Sequence, residues 1–157
     1  QNRHTQLSPH FKLQQFLCKQ AGGYPKYVAL QESLLVLLEG LLQAVRDAGY
    51  PGETFGVVSG YRTPWYNKLI GNVPNSRHVY GDAMDLYIDV DNDGQMDDLD
   101  GDGERDFEDV IVLRDIAEEF MGRPENAALV GGIGRYRRTS RHGGFVHVDT
   151  RGYPASW

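Results

Sequence analysis

Two histidines and one aspartate are the side chains of this sequence best suited to hold a catalytic metal. The segment from Ser76 to Asp85, SRHVYGDAMD, carries His78 and Asp85 with six residues between them. The segment from Phe145 to Asp149, FVHVD, carries His147 in a run that reads as a β-strand. Two imidazoles and one carboxylate, with a fourth position open to water, form a ligand set for catalytic zinc, which activates that water and polarises a carbonyl. Gly81 permits a tight return between His78 on a loop and Asp85 on a strand. His147 and Asp149 are two apart on a strand, so their side chains leave the same face and a further carboxylate lies beside the metal.

The elements that must position these residues follow from periodicity. Leu30, Leu34, Leu37, Leu38, Leu41 and Val45 recur at helical spacing and predict a core helix over 28–48, with Gly49 as its stop. Glu39 interrupts the apolar run LLVLLEGLLQAV, and no stretch is long and apolar enough to predict a membrane span. FGVVS, residues 55–59, reads as a strand, and Pro64 suits the first turn of a short helix through Asn67. AMDLYID predicts a strand and DVIVLRDIAEEFMG a second amphipathic helix ending near Gly122. GGIGRY and GFVHVDT predict a closing pair of strands around the basic loop RRTSRHGG. Ser8 and Pro9 are expected to start a short helix, and AGGYP, residues 21–25, to form a loop. Helices around a small, mostly antiparallel sheet make this an α+β fold. At 157 residues, one domain spanning 1–157 is expected.

Composition narrows the function. A net charge of -6 leaves no basic surface for nucleic acid. The lone Cys18, in FKLQQFLCKQ, suits a buried apolar position and forms no internal disulfide. The acidity is local: residues 89–109 hold nine Asp and two Glu against one Arg, half of all the acids in the chain.

That acidic insertion has a pattern of its own. Asp89, Asp91 and Asp93 precede Gly94 in a twelve-residue window with Asp97 ninth and Asp100 twelfth. Asp98, Asp100 and Asp102 precede Gly103 in a second window, with Asp106 ninth and Asp109 twelfth. Both fit the Asp-x-Asp-x-Asp-Gly calcium loop, in which alternate carboxylates turn inward. Asp stands where an EF-hand has its twelfth-position Glu, a substitution that resembles dockerin or thrombospondin type 3 repeats. Asp98 and Asp100 fall in both windows, so shared or adjacent ions are expected in place of two independent EF-hands. Structural calcium here would stiffen a wall of the zinc site. Weak calcium loops suit an extracytoplasmic ion supply.

SGYRTPWYN, then SRHVYGDAMD, then GGIGRY, then GFVHVDTRG with Trp157 nearby, together resemble the M15 zinc peptidases. That group includes D-Ala-D-Ala carboxypeptidases and murein endopeptidases and shares a fold with the hedgehog signalling domain. The resemblance covers most of the chain, including LSPHFKLQQF. It implies that His78, Asp85 and His147 are the zinc ligands and that Arg62, in SGYR, binds the substrate carboxylate or the polarised carbonyl oxygen. It further implies zinc-dependent amide hydrolysis on peptidoglycan stem peptides by a periplasmic or secreted protein, expected to be a monomer. Many members place an acidic general base three residues before the last ligand; here that residue is Gly144, as in the FVHVD-type branch.

Asp149 is therefore the leading candidate base, with an alternative role in orienting a ligand imidazole or holding Arg62. Asp82 and His142 are weaker candidates for the base, and His142 could instead contact substrate. Tyr61, Trp65, Tyr80 and Tyr136 could line a peptide groove or fill the core. A different class of function is a non-catalytic zinc- and calcium-containing binding or adhesion module on the same fold.

Overall fold

The computed structural model describes residues 2–22 and 25–157. The loop expected at 21–25 includes Gly23 and Tyr24, which lie outside the described residues, as does Gln1. Three α-helices are present: α1 (Glu32–Asp47), α2 (Pro64–Leu69) and α3 (Phe107–Gly122). They accompany five strands: β1 (Gly56–Ser59), β2 (Ala83–Tyr87), β3 (Gly132–Tyr136), β4 (Phe145–Asp149) and β5 (Ala155–Ser156). The strands form one sheet in the order β1-β2-β4-β3-β5, antiparallel except for the β3–β5 pair. This is the α+β architecture that the helix and strand periodicities predict.

Alternation along the central strands divides the sheet into two working faces. Met84 and Leu86 on β2, with Val146 and Val148 on β4, join Leu34, Leu38 and Leu41 of α1 and Val110, Leu113 and Ala117 of α3 in one apolar core. Asp85, His147 and Asp149 occupy the intervening positions and leave the opposite face. They are buried as well. The strands therefore read as continuously buried runs without losing their two-faced chemistry.

Several elements depart from the sequence expectations for local reasons. Helix α1 begins at Glu32, not Val28, because the preceding residues run extended along the turn that follows His78. There the Gln31 N–H donates to the Gly81 carbonyl at 2.9 Å. Ser8 and Pro9 start no helix; a single 3-10 turn at Leu13–Gln15 follows, between the buried Phe11 and Phe16. Glu39, the break in the apolar run, lies within α1. Its Oε2 meets His10 Nδ1 at 2.6 Å and its Oε1 accepts the His10 N–H at 2.9 Å, which fastens the N-terminal segment to α1. Thr63 caps α2 by accepting the Tyr66 N–H at 3.1 Å. Asp106 and Asp109 form a reciprocal capping box at the start of α3. Cys18 is buried, as its apolar setting predicts.

Candidate metal centre

Sheet register brings the distant segments together. Asp85 on β2 pairs directly with His147 on β4, and Ser59 and Gly134 continue the same row on β1 and β3. His78 arrives from outside the sheet on a 3-10 turn, Arg77–Val79, that leads into β2. Its Nε2 lies 3.1 Å from Asp85 Oδ1, and His147 Nδ1 lies 2.8 Å from the same oxygen. One ligand atom from each of the three residues falls within 4.8 Å of the others.

The donor set fits a divalent cation. Ligands about 2.0–2.1 Å from a tetrahedral ion lie roughly 3.3 Å apart, close to the separations found here. The far nitrogens are fixed as metal-binding imidazoles require. His78 Nδ1–H donates to the Gly60 carbonyl at 2.7 Å, which turns Nε2 toward Asp85. His147 Nε2 faces Asp149 Oδ2 at 3.0 Å, which leaves Nδ1 for the centre. Electrostatics agree. Burial would raise the pKa of Asp85, but the charges and hydrogen bonds of His78 and His147 outweigh it and hold the carboxyl well below its usual range. Burial lowers the pKa of His78. It works the same way on His147, yet the carboxylates of Asp149 and Asp85 on either side overcome it and raise that imidazole.

A family model for Peptidase M15 matches residues 9–99, more than half of the chain. The chain belongs to the peptidase M15 family. The match spans Arg62, His78 and Asp85, and the sheet register supplies His147 from beyond its end. Searches of curated proteins and of solved structures returned no significant match. Family membership makes the chain a metallopeptidase by descent, and M15 peptidases are zinc-dependent.

Two residues for which the sequence left roles open are held in specific ways. Arg62 is buried: its Nη2 donates to Asp85 Oδ2 at 2.6 Å and its Nε to Ser59 Oγ at 2.8 Å. Asp149 leaves the same face as His147, as alternation predicts, but its carboxylate lies against the far nitrogen of the imidazole. That carboxylate also accepts from the Gly132 N–H at 2.9 Å and from Arg151 Nε at 2.8 Å and Nη2 at 2.5 Å. Burial is outweighed by these bonds and by His147, so the group stays ionised, well below the usual carboxylate range. This placement puts Asp149 on the opposite side of the His147 ring from Asp85. It is the geometry of an imidazole-orienting group, and Arg151, not Arg62, is its guanidinium partner.

The triad lines a cavity of about 670 Å³. Arg62, Tyr80 and Tyr136 open onto it, together with Arg77, Arg151, Phe145, Tyr153 and Trp157. Trp157 lies 5.3 Å from the His147 ring because Gly134 has no side chain; a Cβ there would meet the indole. Tyr61 and His142 do not line this cavity, and Trp65 is 60% exposed elsewhere. His142 instead borders a second cavity with Lys19 and Arg141. Asp82 is buried in an ion pair with Arg77. Gly144 faces away from the metal: a Cβ there would meet Val110 of α3. Sequence reasoning missed Arg77, Arg151 and Tyr153. The signal for Arg151 was its position two residues beyond Asp149, where a long cationic side chain can fold back on the strand end.

The acidic segment resolves into two groups. Asp89, Asp91 and Asp97 offer oxygens to one point, and Asp98, Asp100 and Asp109 to another. Asp100 thus belongs to the second group alone. Asp93 is paired with Arg105, the Asp102 carboxylate accepts the Glu104 N–H, and Asp106 caps α3, so these three stand outside both groups. Burial, with Asp91 and Asp89 nearby, raises the pKa of Asp97.

Proposed function

We propose that this M15 family member hydrolyses amide bonds in peptidoglycan stem peptides, as a carboxypeptidase or endopeptidase, with zinc held by His78, Asp85 and His147. The observation that carries the reading is the convergence of three fixed donors in a cavity large enough for a peptide, in a chain of this family. Zinc bound there would supply a Lewis acid for the scissile carbonyl and a water acidic enough to attack near neutral pH. The chain's own residues supply preorganisation. The Gly60 carbonyl and Asp149 orient the two imidazoles, and Arg62 ties down Oδ2 of Asp85 so that Oδ1 stays toward the centre. Tyr80, Tyr136, Phe145 and Trp157 offer apolar faces on which a peptide can lie.

In the same reading, the two acidic groups at 89–109 take up calcium as a structural ion and the protein acts in the periplasm or after secretion. Among the described residues no helix is long and apolar enough to cross a membrane. Eleven acids so close together repel one another, and cations bound between them relieve that repulsion.

A binding module without turnover has one observation in its favour. Among the described residues, Asp85 is the one carboxylate lining the cavity, so the attacking water has no separate carboxylate there to accept its proton. Incubation of the zinc-loaded protein with purified peptidoglycan, followed by mass spectrometry of the muropeptides, distinguishes the two. New termini that vanish with chelator and in His78→Ala, and return when zinc is restored to the native protein, support the hydrolase. Intact muropeptides alongside stoichiometric zinc binding leave the binding module.

A further inference from the structure

We propose that Arg77 and Arg151 form a carboxylate-binding subsite beside the metal centre, selecting peptides that carry a free carboxylate within about one residue of the scissile amide. The inference rests on the hydrolase reading for its substrate; neither arginine is itself one of the three candidate metal ligands.

The two guanidiniums are built alike. Arg77 is held by the buried carboxylate of Asp82 through Nε at 3.1 Å and also through Nη2, and its guanidinium carbon lies 4.8 Å from the centre of the Tyr80 ring. Arg151 is held by the buried carboxylate of Asp149 through Nε and Nη2, with its guanidinium carbon 5.1 Å from the Trp157 ring. In each case a carboxylate beneath takes one edge and an aromatic ring takes a face. Among the described residues no hydrogen-bond partner meets Arg77 Nη1, while the Arg151 guanidinium has the Tyr153 side chain as a further neighbour. Both side chains line the metal cavity, and they are near enough to act on one another through space.

Such an arrangement suits an anion. Asp82 and Asp149 are closed off from solvent beneath their partners, whereas the cationic groups remain partly exposed at the cavity. The inward-facing ends of both pairs are positive, and a divalent metal would reinforce that field. A planar guanidinium already fixed by a buried partner loses little freedom when it binds a second carboxylate. Arg62 holds Ser59 and Asp85 by the same Nε and Nη2 edge but is less suited to this task, because its side chain is only 9% exposed against 29% for Arg77 and 16% for Arg151. Charge-assisted hydrogen bonds of this kind discriminate between an acid and its neutral isostere by on the order of tenfold or more.

Two carboxylates of a stem peptide could fill the subsite, the terminal α-carboxylate or an acidic side chain. Calorimetric titration of the intact protein, zinc-loaded and chelated, uses a peptide ending in D-Ala-D-Ala, its C-terminal carboxamide, and a version with the internal glutamate amidated. On the order of tenfold weaker binding for one of the two amides is expected, and which one weakens identifies the source. Arg77→Gln should bring acid and amide within about twofold of each other while zinc stoichiometry stays unchanged; Arg77→Lys should keep part of the preference, since charge survives without the fork. Equal affinities for all three peptides in the native protein, or a preference unaltered in Arg77→Gln, would overturn the subsite. Should Arg77→Gln fail to fold by circular dichroism, the native acid-to-amide ratio and Arg77→Lys decide. An Arg77-dependent preference without cleavage sinks the hydrolase reading and leaves the subsite. Cleavage without any preference does the reverse.

Discussion

Arg62 and Asp85 form a buried ion pair in which Nη2 donates to Oδ2 at 2.6 Å while Oδ1 of the same carboxylate faces both imidazoles. The arginine is therefore placed to act through Asp85, a proposed zinc ligand. Arg62→Ala should weaken zinc binding about 10–100-fold, as losses of outer-shell partners generally do. Competition against a chromophoric chelator measures this. Unchanged zinc affinity with a raised KM would return Arg62 to direct contact with substrate.

Asp149 is tested by asking which property fails. For a group that orients His147, Asp149→Asn should lower zinc affinity about 10–100-fold, with much of the activity returning at saturating metal. A general base would behave differently, with zinc binding intact and kcat down by about 10²–10⁴ with no rescue.

Gly144 occupies the position at which many family members carry an acid, yet a side chain there points at Val110. Gly144→Glu should therefore destabilise the fold by about 1–3 kcal/mol through overpacking, without raising activity per folded molecule. Thermal unfolding and kcat on the same preparation test both halves. An increase in kcat would mean that the strand end rearranges to present the new carboxylate.

Calcium should raise the unfolding temperature, by about 2.7 kcal/mol of stabilisation at a hundredfold excess over Kd. The two acidic groups are separable. Asp91→Asn should reduce one part of the response and Asp100→Asn the other, because these residues sit in different clusters. A response abolished by either single substitution would indicate one shared site.

The clamp between Glu39 and His10 gives a pH signature. Burial would raise the carboxyl, but the hydrogen bonds from His10 outweigh it, so its pKa in the folded chain lies below the ordinary 4.5. A carboxylate depressed on folding contributes stability that is fully present above its unfolded pKa and is lost as pH falls through the folded one. The difference in unfolding temperature between the native protein and Glu39→Gln should be positive at neutral pH and shrink below about pH 4.5. A difference that stays constant down to about pH 3 would show that the Glu39 carboxylate contributes nothing through this clamp.

Legibility in the sequence followed the range of the interactions. The Leu stripe of α1, the strands around Asp85 and His147 and the proline start of α2 were visible because each is fixed by near neighbours or a simple period. The start of α1 was misplaced because a tertiary contact, Gln31 to Gly81, holds the preceding residues extended. The three residues of the candidate metal cluster could be named from their types and from the family resemblance of the motifs that carry them. What Arg62 and Asp149 do could not be, because each choice depends on which guanidinium meets which carboxylate across the sheet. Arg77 and Arg151 gave no sequence signal of partnership with Asp82 and Asp149 beyond being nearby in the chain. The hydrogen-bond list of a folded cavity, unlike its residue types, is not periodic.

Strand β4 follows β1, β2 and β3 in the chain, yet it is wedged between β2 and β3 in the middle of the sheet. A nascent polypeptide that has not reached it has two candidate ligands, an unpaired inner edge and no third donor. Insertion of one short ribbon therefore completes the tertiary structure and the reactive centre together, and a cation joining β2 to β4 would rivet the late segment to the early one. Assembled in this order, the three candidate ligands meet only when the sheet closes.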